Sequence, residues 1–232
     1  MAETQKTFTL RAVIQVALIV FVVPFLPMII SGQWRWWEAW AYAGLSILGF
    51  VLSRVMAMRR HPDLLAERAR SMEMENAKPW DKILAPVLAL GAILILIVAG
   101  LDRLFGWSPS FTISVKLISL IVIILGYSLG SWALVENRFF SGVVRIQTDR
   151  GHQVIASGPY HFIRHPGYAG ALWVYLATPA LLDSVWAFMP ALLLAGILIL
   201  RTALEDRTLQ GELPGYKEYA RSTRFRLIPG VW

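Results

Sequence analysis

The sequence predicts an all-α integral membrane protein of about six hydrophobic helices, the last two forming a tight hairpin. Three observations predict it. Of the 232 residues, 56% are hydrophobic and 16% charged, and the mean hydropathy is +0.56; a soluble domain carries about 25% charged residues. The charges are also unevenly placed, leaving six uncharged stretches of 15 to 23 residues. Finally, lysine and arginine crowd into alternate connections between those stretches, as positive-inside topology requires.

The first stretch, residues 12–34, is 23 residues long, and about 20 apolar residues cross a bilayer. Pro24 and Pro27 are expected to kink it. Its length, with no small-residue cleavage site after it, is unlike a secretory signal. Trp34, Trp36, Trp37 and Trp40 follow, and indole rings favour the headgroup layer, so they mark the outer end of the first hairpin. The second stretch, 39–53, is only 15 residues, extended by the Trp-rich lead-in and a snorkelling Arg54. A charged connection, 54–82, comes next. Within it Leu64, Leu65, Ala69 and Met72 suit either a short amphipathic helix on the membrane surface or a solvated loop.

Residues 83–101 and 117–135 give 19 uncharged positions each, and 166–182 and 184–200 give 17 each, parted by Asp183. Seventeen residues rise about 25 Å against a hydrocarbon core of roughly 30 Å, so the last pair is expected as a hairpin short of full crossing. No internal repeat or low-complexity stretch is present.

With the N-terminus inside, 19 of the 22 Lys and Arg fall on the cytoplasmic side, leaving Arg35, Arg103 and Lys116 outside. The expected protein is multi-pass with both termini cytoplasmic, in the inner or plasma membrane if the chain is prokaryotic. The net charge of +7 is then explained by topology, and no nucleic-acid partner is implied. The absence of cysteine excludes disulfides, thiolate metal sites and a cysteine nucleophile.

Polar residues able to do chemistry gather after the fourth stretch. His152, His161 and His165 fall within fourteen residues. Gly158-Pro159 turns the chain there, and Pro166 stands where a helix would begin. An irregular strip beside a helix N-terminus offers free N–H groups and a favourable dipole, enough to hold a polar cofactor in a cytoplasmic pocket at the membrane surface. Farther on, Arg201 and Glu205 share a helical face, which reads either as an i,i+4 ion pair at a helix end or as part of a site. His161 and His165 have the spacing of a metal pair, but the two prolines break any helix through them and no carboxylate accompanies them; no metal is expected. Walker, Rossmann and nucleophile-elbow motifs are absent.

Gly158-Pro159-Tyr160, the run Arg164-His165-Pro166-Gly167-Tyr168-Ala169-Gly170, then Arg201, Glu205, Asp206 and Leu209, then Tyr216 and Tyr219, and the close Leu227-Ile228-Pro229 resemble one family. It is the isoprenylcysteine carboxyl methyltransferase family of membrane enzymes, with the related phospholipid N-methyltransferases. The resemblance covers residues 132–232; the first hundred match only as hydrophobic helices. It divides the chain into transmembrane helices over 1–131 and a methyltransferase core over 132–232.

The resemblance implies S-adenosyl-L-methionine as cofactor. Carried over by position, the cofactor pocket comprises Gln147, His152, Gln153, Val154, Ile155, Tyr160, His165, Pro166, Gly167, Tyr168 and Glu205. Arg201 matches the arginine placed at the acceptor, and Asp206 stands where the family commonly has a second glutamate. Methyl transfer is an in-line displacement, so alignment is the main task. A carboxylate acceptor is already anionic and needs a cation to hold it, a role for Arg201. An amine acceptor must lose a proton, for which Glu205, Asp206 or a histidine would serve. Carboxyl O-methylation of a prenylcysteine-like lipophilic substrate is the expected reaction, with membrane lipids as surroundings. Alternatives are a phospholipid or other lipid-amine N-methyltransferase, an NADPH-dependent membrane reductase, and a non-enzymatic scaffold or transporter.

Overall fold

The computed structural model describes residues 17–64, 67–68 and 76–232. Among them there is no strand; the chain folds as helices α1 (Ala17–Ser31), α2 (Trp37–Arg60), α3 (Asp81–Phe105), α4 (Ile113–Glu136), α5 (Pro166–Leu181), α6 (Phe188–Glu212) and the short α7 (Tyr216–Ser222). Four of these, α2, α3, α4 and α6, are long and apolar enough to cross a membrane. Leu48, Leu52, Leu90, Ile118, Ile121, Leu125, Leu192 and Leu193 all point outward and exposed. An outer face this apolar requires lipid as its solvent, so this is an integral membrane protein.

Both prolines of the first helix act where expected. The helix opens into a 3-10 turn at Val23–Phe25 and resumes at Leu26, with Pro24 and Pro27 each in the first turn of its segment, where a missing N–H costs least. The 54–82 connection is shorter than its charges suggest, because α2 runs on to Arg60 and α3 starts at Asp81. The expected surface helix falls mainly on 65–66 and 69–75, outside the described residues. Leu64 is fully buried against Ala57, Leu134 and Val135.

α4 packs most extensively on α5. A Cβ on Gly126 would stand 2.7 Å from the Gly170 carbonyl oxygen, and one on Gly170 would stand 2.4 Å from that of Gly126. Only glycine at both positions permits this crossing, the small-residue contact by which membrane helices approach closely. α1 packs on α3, α2 on α4, α3 on α6 and α5 on α6, around a core containing Met28, Ile95, Leu182, Leu194 and Leu198.

The hairpin of α5 and α6 is lopsided. α5 has 16 residues, but α6 has 25, a rise of about 37 Å that is ample for crossing. Charge-free length understates α6 because the helix continues through Arg201, Glu205 and Asp206, whose charges are met inside the protein. At the far end of the molecule, Asp183 takes a left-handed φ of 54° in the hairpin turn. Its carboxylate accepts from Phe111 N–H at 2.7 Å and pairs with Lys116 at 2.6 Å. Lys116 also pairs with Glu38, so one buried ammonium is shared between two buried carboxylates.

Candidate functional site

At the other end, the C-terminus of α2 meets that of α4 through Arg60 and Glu136 at 3.0 Å. Arg201 of α6 meets Asp81, the first residue of α3, at 2.6 Å. Residues 137–165 lie between α4 and α5 without forming a long helix, and they fold over these helix ends. The result is a pocket of about 800 Å³, open mouth included, within the usual size of small-molecule sites.

Gln147, His152, Gln153, Val154, Ile155, Tyr160, His165, Gly167, Tyr168 and Glu205 all line this one pocket. Pro166 does not; it is buried in the first turn of α5. Arg201 does not line it either. Arg201 Nε and Nη2 donate to Asp81 at 2.6 and 3.0 Å, Nη2 donates to the Gly142 carbonyl at 3.1 Å, and the guanidinium lies over the Tyr168 ring at 5.2 Å. The ion pair read from the Arg201–Glu205 spacing is replaced by this longer-range pair.

The strip is held by its own polar groups. Gln147, 1% exposed, donates from Nε2 to Phe139 O at 2.8 Å and accepts from Arg150. The His152 ring packs on Phe139 at 4.6 Å, and its Nδ1 accepts from Gln147 N–H at 3.3 Å. Burial, with the charges of Arg145 and Arg150, pushes the His152 pKa down to about 4, so its imidazole is neutral at physiological pH. Tyr160 O–H donates to Ala133 O at 3.3 Å, and Tyr219 O–H donates to Tyr160 O at 2.6 Å. Burial pushes the phenols of Tyr160, Tyr216 and Tyr219 up, which keeps them as donors. His165 stacks on Tyr168 with planes 8° apart, and Tyr168 O–H donates to Glu205.

The charges divide unequally. Among the described residues Glu205 is the one carboxylate in the pocket wall, and its described hydrogen bond is from a phenol. Both arginines in the wall are already paired. Arg145 meets Glu67 at 2.9 and 2.8 Å and Asp149 at 2.8 Å, while Arg164 meets Asp206 at 2.7 and 3.0 Å. The wall therefore presents a negative charge to a guest and holds its positive charges in check.

Asp206, which the sequence offered only as one candidate base for an amine acceptor, is an organiser of this end of the molecule. Fully buried, it accepts from Arg164, from Arg226 Nε at 2.9 Å, from Gln210 at 2.8 Å and from Tyr216 O–H at 3.1 Å. His165 Nε2 lies 3.4 Å away. It thereby ties α6 to the turn before α5, to α7 and to the C-terminal tail. Its nearness to Gln210 at i+4 was visible in the sequence; its four basic or aromatic partners from other elements, Arg164, His165, Tyr216 and Arg226, were not.

The wall also includes Asn137, Phe139, Phe140, Ser141, Val143 and Val144, and Leu209, Leu213, Tyr216 and Tyr219 close it from below. The first group carries no polar motif that would single it out. Phe140 lies against Gly167, where an added Cβ would meet the ring at 2.7 Å.

Residues 118–211 match the model of the isoprenylcysteine carboxyl methyltransferase (ICMT) family. Over 69 residues the chain is 35% identical to a probable protein-S-isoprenylcysteine O-methyltransferase of Oryza sativa subsp. indica, covering 29% of this chain and 36% of that protein. The same figures hold for its counterpart in Oryza sativa subsp. japonica. Over 95 residues it is 32% identical to the Delta(14)-sterol reductase TM7SF2 of Mus musculus, covering 40% of this chain and 23% of that protein. The chain thus spans between about a quarter and a third of the length of these curated relatives. Its segment 118–211, from α4 through most of α6, matches the ICMT family.

Proposed function

We propose that this chain is a membrane methyltransferase using S-adenosyl-L-methionine on a lipophilic acceptor, most simply by carboxyl O-methylation of a prenylcysteine-like substrate. The observation that carries the reading is the pocket's charge. The cofactor is cationic at sulfur and at its amino group, and Glu205 offers it a carboxylate hydrogen-bonded to a phenol, beside neutral His152 and the aromatic rings of Tyr168 and Tyr160. Bound there, the cofactor would supply a methyl group on a sulfonium, already activated for displacement. The protein's part is to orient it and exclude water, with Glu205, Gln147, the 152–155 run, Tyr168 and Gly167 lining the space.

The likeness to a sterol reductase supports NADPH as a second reading. Against it stand the paired arginines: a dinucleotide phosphate needs free cations, and Arg145 and Arg164 are held by Glu67, Asp149 and Asp206. Arg201 serves in this reading as a positioning residue. Through Asp81, which also accepts from Val144 N–H at 2.6 Å, it fixes the 142–144 wall. We further propose that the pocket end faces the cytoplasm, that both termini lie there, and that 1–131 and 132–232 divide the labour between acceptor and cofactor.

Calorimetry on the detergent-purified protein separates the readings. S-adenosylhomocysteine should bind saturably and NADPH should not, and Glu205→Gln should weaken the former by about tenfold, the value of one charge-assisted hydrogen bond. Binding of NADPH alone would move the protein to the reductases.

A further inference from the structure

A second cavity, about 1180 Å³ with its open mouth, lies among α2, α3, α4 and α5. It shares Phe140 and Gly167 with the pocket described above, so a single ring and a glycine part the two spaces. From there it runs into the bundle toward Tyr42, Tyr175 and Thr178. Along its side it shares Gly49, Ser53, Tyr127 and Ser131 with an apolar groove between α2 and α4, whose rim includes the exposed Leu48, Leu52 and Met56. The cavity therefore reaches the lipid face laterally.

Two arginines line it, Arg54 and Arg68, the latter at the Phe140 end, and among the described residues no carboxylate lines it anywhere. Arg54 donates to Ser53 Oγ at 2.9 Å and lies over the Phe50 ring at 4.1 Å. Arg68 donates weakly to Phe140 O at 3.4 Å and lies 5.4 Å from the Phe140 ring centre. Neither has a carboxylate partner among the described residues. Burial, and the neighbouring charge of Arg201, lower the hold of Arg68 on its proton. This contrasts with Arg145, Arg150, Arg164 and Arg201, each of which meets an aspartate or glutamate. Two half-buried guanidiniums in one acid-free cavity repel each other and lack the anion that would offset their desolvation.

We propose that Arg54 and Arg68 form the acceptor anchor, clamping the carboxylate of an acidic lipid beside Phe140 while its apolar tail lies in the cavity and the α2–α4 groove. This rests on the methyltransferase reading and deepens it. It moves recognition of the acceptor's charge from Arg201 to a pair outside the family-matched segment 118–211. It also selects among acceptors, since an ammonium headgroup would enter a cationic cavity. Held there, a carboxylate oxygen donates its lone pair to the new O–C bond. The bond from methyl carbon to sulfur breaks with its electron pair left on sulfur, and no proton moves.

The test uses the full chain in detergent, with hexadecanoic acid, hexadecyl phosphate and hexadecylamine as probes, each followed by equilibrium binding of radiolabelled compound. The acid should bind and accept tritiated methyl, the phosphate should compete without being methylated, and the amine should do neither. Arg54→Gln and Arg68→Gln should each weaken acid binding about tenfold or more, and Arg→Lys should restore part of it. S-adenosylhomocysteine binding should stay unchanged, which certifies the fold. Gly130→Leu gives an independent arm: a Cβ at Gly130 meets nothing within 4 Å, so the larger side chain should fill the cavity and abolish acid binding alone. Equal acid binding by wild type and both arginine variants, or preference for the amine, would overturn the anchor. Loss of S-adenosylhomocysteine binding in the wild type would instead overturn the cofactor reading, whatever the lipid arm showed.

Discussion

His152 illustrates how one buried side chain couples the pocket to pH. A free imidazole titrates near 6.5, whereas burial holds this one down to about 4. Between those values the unfolded chain binds a proton that the folded chain refuses, so stability falls as pH drops from 6.5 to 4. His152→Gln should remove this share: its Tm should decline less than that of the wild type over the same interval. Parallel declines would show that His152 is not held neutral. Glu205 works at the same scale through charge: in the proposed reading it offers a cationic guest a carboxylate whose described hydrogen bond comes from the Tyr168 phenol.

The helices show what charge patterns could and could not reveal. Each of the six uncharged stretches falls on a helix, and four of these helices are long and apolar enough to cross a membrane, since apolar length is the physical requirement for lipid-facing structure. They misjudged α6, where Arg201 and Asp206 sit inside the helix with partners from α3 and from the turn before α5. Pairing across elements cannot be read from one segment's charges. For the same reason the strip from Gln147 to Tyr168 was legible through its motif, but the apolar wall at 139–144 was not. Asp206 gives the sharpest test at this level. Removing it strands the buried Arg164 and releases Arg226 and Tyr216 together. Asp206→Ala should cost about 3–5 kcal/mol, the usual penalty for orphaning a buried charge, seen as a large drop in Tm in detergent. A small change would mean that solvent readily reaches Arg164.

At the scale of the molecule, the N-terminal half does more than anchor. Asp63, Glu67 and Asp81 each bind arginines of the C-terminal half, so the pocket wall is held from a distance of many residues. The proposed orientation is open to direct measurement because the chain has no cysteine. A single cysteine at exposed Trp107, in the α3–α4 connection, should react with an impermeant maleimide on intact cells. One at exposed Lys217, on α7, should react only after lysis. The reverse pattern would invert the topology.

The contact of Phe140 with Gly167 has a bearing on traffic. In the proposed reading a water-soluble cofactor and a bilayer-borne lipid would meet at this contact, each arriving by its own doorway. Neither would have to leave for the other to arrive, so a turnover would have no compulsory order of entry. The methylated lipid would drift back into the bilayer while the spent cofactor departed on its own schedule.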